Sequence, residues 1–451
     1  MTPLHGNCPP HEGILGHMAP FKRDPLGFLS YCADHYNGVV RLRMLHRPVF
    51  LLMDPADVER VLVTEHTNFI KPAWLRTPAV RRLLGNGLVT SEGETWRKQR
   101  HTCKPAFEQR RMERYGDAIS AITSRALANW KPGQTIDIMS EMSRLTMEIV
   151  GSLFFQTSSE DRDWIAEGGE AMDAMMVRFT ASRNLFGMIP LPPGLAEMKA
   201  ARRLDSVVDL LIDGHNAAFT NGLDAAANDP DLLSLLKECG SAEHHEDADR
   251  LLREQVKTFL TAGHESSAIA VSWVFVLLSS HPAAEGLLHR ELANVLGDSL
   301  PTYSDLRSLS YTQAVVSEAL RLYPPLWMTG RQSIHSCVIG GAAIPAGALV
   351  MTSQWVLHRL PKLFDEPDVF RPERWLNGET SGLPRCAYIP FGAGPRTCIG
   401  LGFAMMESTL LLAAIAQRFR LVRTDRRDIQ PWATMTLRPP PGTRMQLQLH
   451  T

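Results

Sequence analysis

A single cysteine set among glycines constrains this chain most: Phe391-Gly392-Ala393-Gly394-Pro395-Arg396-Thr397-Cys398-Ile399-Gly400, followed directly by the apolar helical stretch LGFAMMESTLLLAAIAQ. Glycines on both sides of Cys398 allow a tight backbone turn and close approach to a flat partner, because they bring no side chain to collide with it. A helix beginning just after the cysteine puts the sulfur near free N–H groups and the positive dipole end, which favour a thiolate. A buried structural cysteine in a glycine-rich turn fits the same ten residues when they are read alone.

The remaining sequence is mostly helical. Helical periodicity runs over about Glu94–Cys103, from Trp130 onward in several pieces, over Asp249–Ser279, Tyr311–Leu322 and Gly402–Arg418. Two β signals interrupt it: Gly38–Met44 and Val49–Met53 around His46-Arg47-Pro48, and Val338–Ile344 with Ala348–Met351. The expectation is a mainly α fold with a minor β lobe. No linker-like composition divides the 451 residues, so residues 1–451 read as a single domain. The Pro-containing stretch Met188–Gly194 reads as a loop that could act as a lid.

Composition removes several function classes. Lys plus Arg number 47 against 48 Asp plus Glu, so the overall balance points to neither nucleic acid nor an anionic membrane surface. The seven cysteines are scattered, odd in number and form no C-x-x-C pair, which argues against a disulfide framework or a zinc knuckle and suits a reducing compartment. The N-terminus has no apolar targeting core, and Ala268–Leu278 is too short an apolar run to span a bilayer. A cytoplasmic protein without a membrane anchor is expected.

The cysteine loop resembles F-x-x-G-x-R-x-C-x-G, the signature of the cytochrome P-450 family, at every fixed position. Average residue usage gives such a match by chance about once in ten thousand chains. The resemblance implies the cytochrome P-450 fold and haem b as cofactor. It makes Cys398 the axial thiolate ligand and metal-binding residue, Arg396 a propionate partner, Phe391 a neighbour of the sulfur, and Gly400 part of the cofactor loop. Thiolate ligation in this family pushes electron density toward O–O cleavage.

Three further segments fall in the order the family requires. Glu318-Ala-Leu-Arg321, one helical turn apart, followed by Leu322-Tyr-Pro-Pro325 and Arg371-Pro-Glu-Arg374-Trp375, is similar to the family's Glu-Arg-Arg network of Glu318, Arg321 and Arg374, a structural support for the cysteine loop. Trp96-Arg-Lys-Gln-Arg100 is similar to the W-x-x-x-R helix, with both residues on one face and directed to haem propionates, as Arg331 would be. A surface arginine or a core tryptophan is the ordinary alternative for each taken singly. Ala262-Gly263-His-Glu265-Ser266 resembles A-G-x-[D/E]-T-[T/S], the distal groove for dioxygen, with Glu265 and Ser266 as catalytic groups for proton delivery. Serine replaces the usual threonine here. It keeps the hydroxyl but lacks the methyl that stiffens χ1, so coupling is less assured and peroxide-driven chemistry stays open.

The resemblance implies a monooxygenase that activates dioxygen and oxidises an apolar small molecule, terpenoids coming first and fatty acids or polyketides second. The implied pocket includes Trp74, Met175, Phe179, Phe259, Leu326, Trp327 and Met435, few of them polar. Each is open to a plain core reading as well. Electrons would come from a separate ferredoxin and an NAD(P)H-dependent reductase to a monomeric enzyme, with Arg97, Lys98 and Lys104 as a docking patch or an ordinary solvated face. A thiolate-haem peroxygenase or isomerase needing no electron donor, or a haem-binding sensor, is the alternative.

Overall fold

A computed structural model describes residues 7–11, 13–155, 195–220, 232–240, 245–425 and 428–450. The chain forms two compact units that interleave along the sequence, one from Met1–Ala73 and Ser317–Cys398, the other from Trp74–Val316 and Ile399–Thr451.

The first unit carries a five-stranded sheet in the order Val39–Met44, Arg47–Leu52, Leu349–Thr352, Thr329–Ser333, Phe69–Ile70. The opening hairpin is tighter than the sequence suggests. Leu45 (φ +56°) and His46 alone make the turn, and Arg47 and Pro48 already belong to the second strand. Pro48 is tolerated there because the parallel pairing with Leu349–Thr352 begins only at Val49, beyond the missing N–H. The later β signal splits into a hairpin, Cys337–Ile339 with Ala342–Ile344, and the sheet strand Leu349–Thr352. Its turn needs Gly340 and Gly341, both at positive φ; a Cβ on Gly340 would also lie 2.4 Å from the Asp57 carboxylate. Val39, Phe50, Leu52, Val58, Ile344 and Val350 close the apolar core beneath the sheet.

The second unit is built on the long helix His245–Leu278, packed against Ile138–Phe155. By length and composition Ala248–Leu278 passes as a membrane span, a longer run than the apolar stretch alone suggests, yet 83% of its most apolar window is buried inside the protein. That is the signature of a core helix. Helices Gly93–Cys103, Gln109–Leu127 and Leu401–Arg418 and a three-stranded antiparallel sheet of Thr135–Asp137, Arg444–Leu449 and Phe419–Arg423 complete this unit.

Candidate active site

In the first unit, the cysteine loop is shaped by its glycines and closed by its own backbone. Gly392 and Gly394 sit at φ +73° and +71°, and a Cβ on Gly394 would lie 2.0 Å from the Leu62 carbonyl, so no side chain is possible there. After the short turn Gly394–Arg396, the Thr397 hydroxyl donates to the Gly394 carbonyl at 2.7 Å and the Cys398 N–H donates to the Phe391 carbonyl at 2.9 Å. Cys398 is exposed and carries no disulfide, whereas Cys32, Cys103 and Cys386 are buried. Phe391, Arg396 and Arg331 are half-buried, the last on strand Thr329–Ser333. Gly400 caps helix Leu401–Arg418 in the second unit.

Glu318 gathers the segments that lead up to this loop. Its Oε1 accepts from Arg321 Nη2 at 2.8 Å, Arg374 Nε at 3.0 Å and the Arg371 N–H at 3.0 Å; its Oε2 accepts from Arg321 Nε and Trp375 Nε1, each at 2.9 Å. Glu318, Arg321 and Arg374 are all essentially buried. Burial pushes the Glu318 carboxyl up, but the hydrogen bonds and charge of Arg321 outweigh it and hold the group below the usual range. The arginines also reach the backbone of the following meander, Arg321 to His358 O at 2.7 Å and Arg374 to Asp365 O at 2.9 Å. Buried His358 then takes the Ile389 N–H on Nε2 at 2.9 Å, which carries the network to the base of the cysteine loop. Burial lowers His358 to about 3, so the ring is a neutral acceptor.

The second unit opens one stripe of its long helix. Ala262 is exposed and Gly263 and Ser266 are half-buried, while Leu260, His264, Glu265, Ser267 and Ala268 are buried. Ser266 Oγ donates back to the Ala262 carbonyl at 2.9 Å, which fixes the hydroxyl at the edge of this opening. Glu265 turns away to Arg438: its Oε1 accepts from Arg438 Nη2 at 2.7 Å and Nε at 3.2 Å and from Thr436 Oγ1 at 2.7 Å. On helix Gly93–Cys103, the Arg100 guanidinium lies 5.7 Å from the centre of the Trp96 ring, a cation–π distance. Both are half-buried, and Arg97, Lys98 and Lys104 are exposed.

The expected pocket residues divide. Trp74 and Met435 are half-buried, Met435 in the turn between Trp432–Ala433 and Leu437–Arg438. Phe259 stacks on Phe107 at 6.0 Å, and Phe107 meets Phe154 edge-on, so Phe259 joins an aromatic cluster of the core. In the first unit Leu326 is 45% exposed, whereas Trp327 is 1% exposed and stacked on Phe21, a core residue by packing. Met175, Phe179 and the Met188–Gly194 stretch lie outside the described residues.

Three polar groups emerge only from the structure. Arg438 neutralises Glu265. Glu407 is buried, with neither carboxyl oxygen hydrogen-bonded; burial raises it to about 8, and the nearby Ser267 hydroxyl, outside hydrogen-bond geometry, draws it down only in part. Gln255 is 3% exposed and neither amide atom has a partner, where each unpaired buried group costs about 1–3 kcal/mol. A lone acid within LGFAMMESTLLLAAIAQ was the sequence signal for Glu407. For Gln255 the signal was its spacing from Phe259 and Ala262.

The family model for cytochrome P450 matches residues 8–447. The chain is 35% identical over 424 residues to cyclooctat-9-en-7-ol 5-monooxygenase of Streptomyces melanosporofaciens, covering 92% of this chain and 89% of that protein. It is 34% identical to cyclooctatin synthase of the same organism (96% and 93% covered) and 31% identical to pentalenene oxygenase of Streptomyces avermitilis (100% and 98% covered). With the family model spanning nearly its whole length and such relatives aligned end to end, the chain belongs to the cytochrome P450 family.

Proposed function

We propose that this cytochrome P450 monooxygenase oxidises a cyclic terpenoid, using electrons passed from an NAD(P)H-dependent reductase through a separate ferredoxin. What carries the reading is end-to-end similarity to relatives named for oxidising cyclooctat-9-en-7-ol and pentalenene, both terpenoid-oxidising. Exposed Cys398 on a rigid glycine loop fits a haem ligand, and exposed Ala262 with half-buried Gly263, small residues set between buried Leu260 and His264, fit a flat group lying against the helix. Cys398 would hold haem b as its thiolate, with Arg396, Arg331, Trp96 and Arg100 taking the propionates. Haem b, when bound, supplies the centre at which dioxygen is reduced and one oxygen atom is inserted.

The chain's own groups then act around that centre. Ser266 holds a proton at Oγ on the open stripe. Glu265, tied through Oε1 to Arg438 and Thr436, is the carboxylate next to it on the helix and completes the proton-handling pair. In the second unit the half-buried Trp74 and Met435 supply apolar side chains suited to a substrate bound by burial. Exposed Arg97, Lys98 and Lys104 suit an acidic ferredoxin. We place the enzyme in the cytoplasm as a monomer.

The test is a reconstituted assay with ferredoxin, reductase and NAD(P)H, run on cyclic terpenes, fatty acids and polyketides. A low-to-high-spin shift and NAD(P)H-dependent product with a terpene are expected. Equal turnover on peroxide without any electron donor would make the protein a peroxygenase instead.

A further inference from the structure

Gln255 stands out within its turn of the long helix. Three polar neighbours there are tied to the segment at residues 82–87: Glu254 accepts the Asn86 N–H at 2.5 Å, Lys257 Nζ donates to the Arg82 carbonyl at 3.2 Å, and Thr258 Oγ1 donates to the Leu84 carbonyl at 2.7 Å. The Gln255 amide lies against the same segment, its Oε1 2.8 Å from where a Gly87 Cβ would be, yet both Oε1 and Nε2 are without a hydrogen bond. On the same segment the Asn86 side-chain oxygen is buried and unpaired as well. Helical spacing puts Gln255 on one stripe with Phe259, Ala262 and Ser266, the stripe that opens at Ala262.

We propose that Gln255 is the polar anchor of the substrate site and that it selects an already oxygenated substrate, a neutral terpenoid alcohol, over the parent hydrocarbon. This rests on the reading of the chain as a terpenoid monooxygenase. An amide presents a donor and an acceptor side by side, and a hydroxyl, which both donates and accepts, satisfies the two together. A hydrocarbon satisfies neither. A carboxylate, which only accepts, would pair with Nε2 and set its charge against Oε1, so fatty-acid carboxylates are disfavoured. Gln255 lies about 10 Å along the helix axis from Ala262. The recognised hydroxyl is therefore at the end of the substrate remote from the carbon that is oxidised.

The experiment is spin-shift titration of the haem-loaded enzyme and its Gln255→Leu variant with a cyclic terpene hydrocarbon and a set of its mono-alcohols. An alkane and its terminal alcohol form a second pair. The parent enzyme should bind one alcohol about ten-fold tighter than the hydrocarbon, a difference of about 1.4 kcal/mol. Gln255→Leu should lose that preference and bind the hydrocarbon at least as well as before. Its substrate-free Tm should rise, because the unpaired amide is gone. An unchanged alcohol-to-hydrocarbon ratio in Gln255→Leu would overturn the anchor, as would a lowered Tm with both affinities reduced equally. A shift with the alkane pair and none with any terpene would overturn the terpenoid reading instead, and the ratio within the alkane pair would still decide the role of Gln255.

Discussion

Arg438 donates from Nη2 to Oε1 of Glu265 at 2.7 Å, and each side chain is 4% exposed. A buried pair like this is weak as a source of net stability but expensive to break, because the surviving charge is stranded. Arg438→Ala should therefore cost about 3–5 kcal/mol in denaturant unfolding. Replacing both residues, Glu265→Gln with Arg438→Met, should cost less than the sum of the single changes. A double-mutant cycle measures this; additive losses would mean that the two charges do not act as a pair.

Glu318 should be less replaceable still. It accepts from two arginines, a tryptophan N–H and a backbone N–H. Glu318→Ala leaves Arg321 and Arg374 buried without their counter-charge, at roughly 3–5 kcal/mol. Failure to fold or to retain haem is expected. A stable, fully haem-loaded variant would show that the network is not what supports the cysteine loop.

Local patterns in the chain gave away the elements that depend on local physics. The helices at Gly93–Cys103, Ser310–Leu322 and Leu401–Arg418 begin and end within a residue or so of where apolar spacing and glycine positions put them. The glycines around Cys398 announced the loop, since only glycine tolerates the approach of Gly394 to Leu62. Pairings between distant segments did not show. Nothing local in Thr436-Leu437-Arg438 announces that it neutralises a helix more than a hundred residues earlier, and nothing in Trp327 tells a stacked core ring from a pocket wall. Those outcomes are decided by tertiary packing.

Glu407 makes stability depend on pH in a direction opposite to most carboxylates. Its pKa is raised in the folded protein from the ordinary 4.5 to about 8 by burial. The folded state thus holds a proton that the unfolded chain has given up. The contribution is full below about pH 4.5 and is lost as pH rises through about 8. Glu407→Gln, which cannot ionise, should remove up to about 1.4 kcal/mol per pH unit of decline across that window. Urea unfolding of both proteins from pH 5 to 8 checks it, and parallel curves would rule out a neutral Glu407.

Ser266 presents its hydroxyl at the open edge of the long helix, bonded back to Ala262. Ser266→Ala should keep substrate binding but raise the hydrogen peroxide released per NAD(P)H consumed. Ser266→Thr should couple as well as the parent or slightly better, because the added methyl restricts χ1. Peroxide, NAD(P)H and product counted in one assay decide the matter. If Ser266→Ala couples like the parent, proton delivery does not pass through this hydroxyl.

Cys398 as thiolate ligand is the claim on which the rest depends. The absorption spectrum of the reduced protein under carbon monoxide tests it most directly. The parent should show the red-shifted band of thiolate-ligated haem, and Cys398→His should bind haem without that band. Substitution of any other cysteine should leave the band in place. A normal thiolate band in Cys398→His, or a parent that takes up haem without ever showing the band, would contradict the assignment.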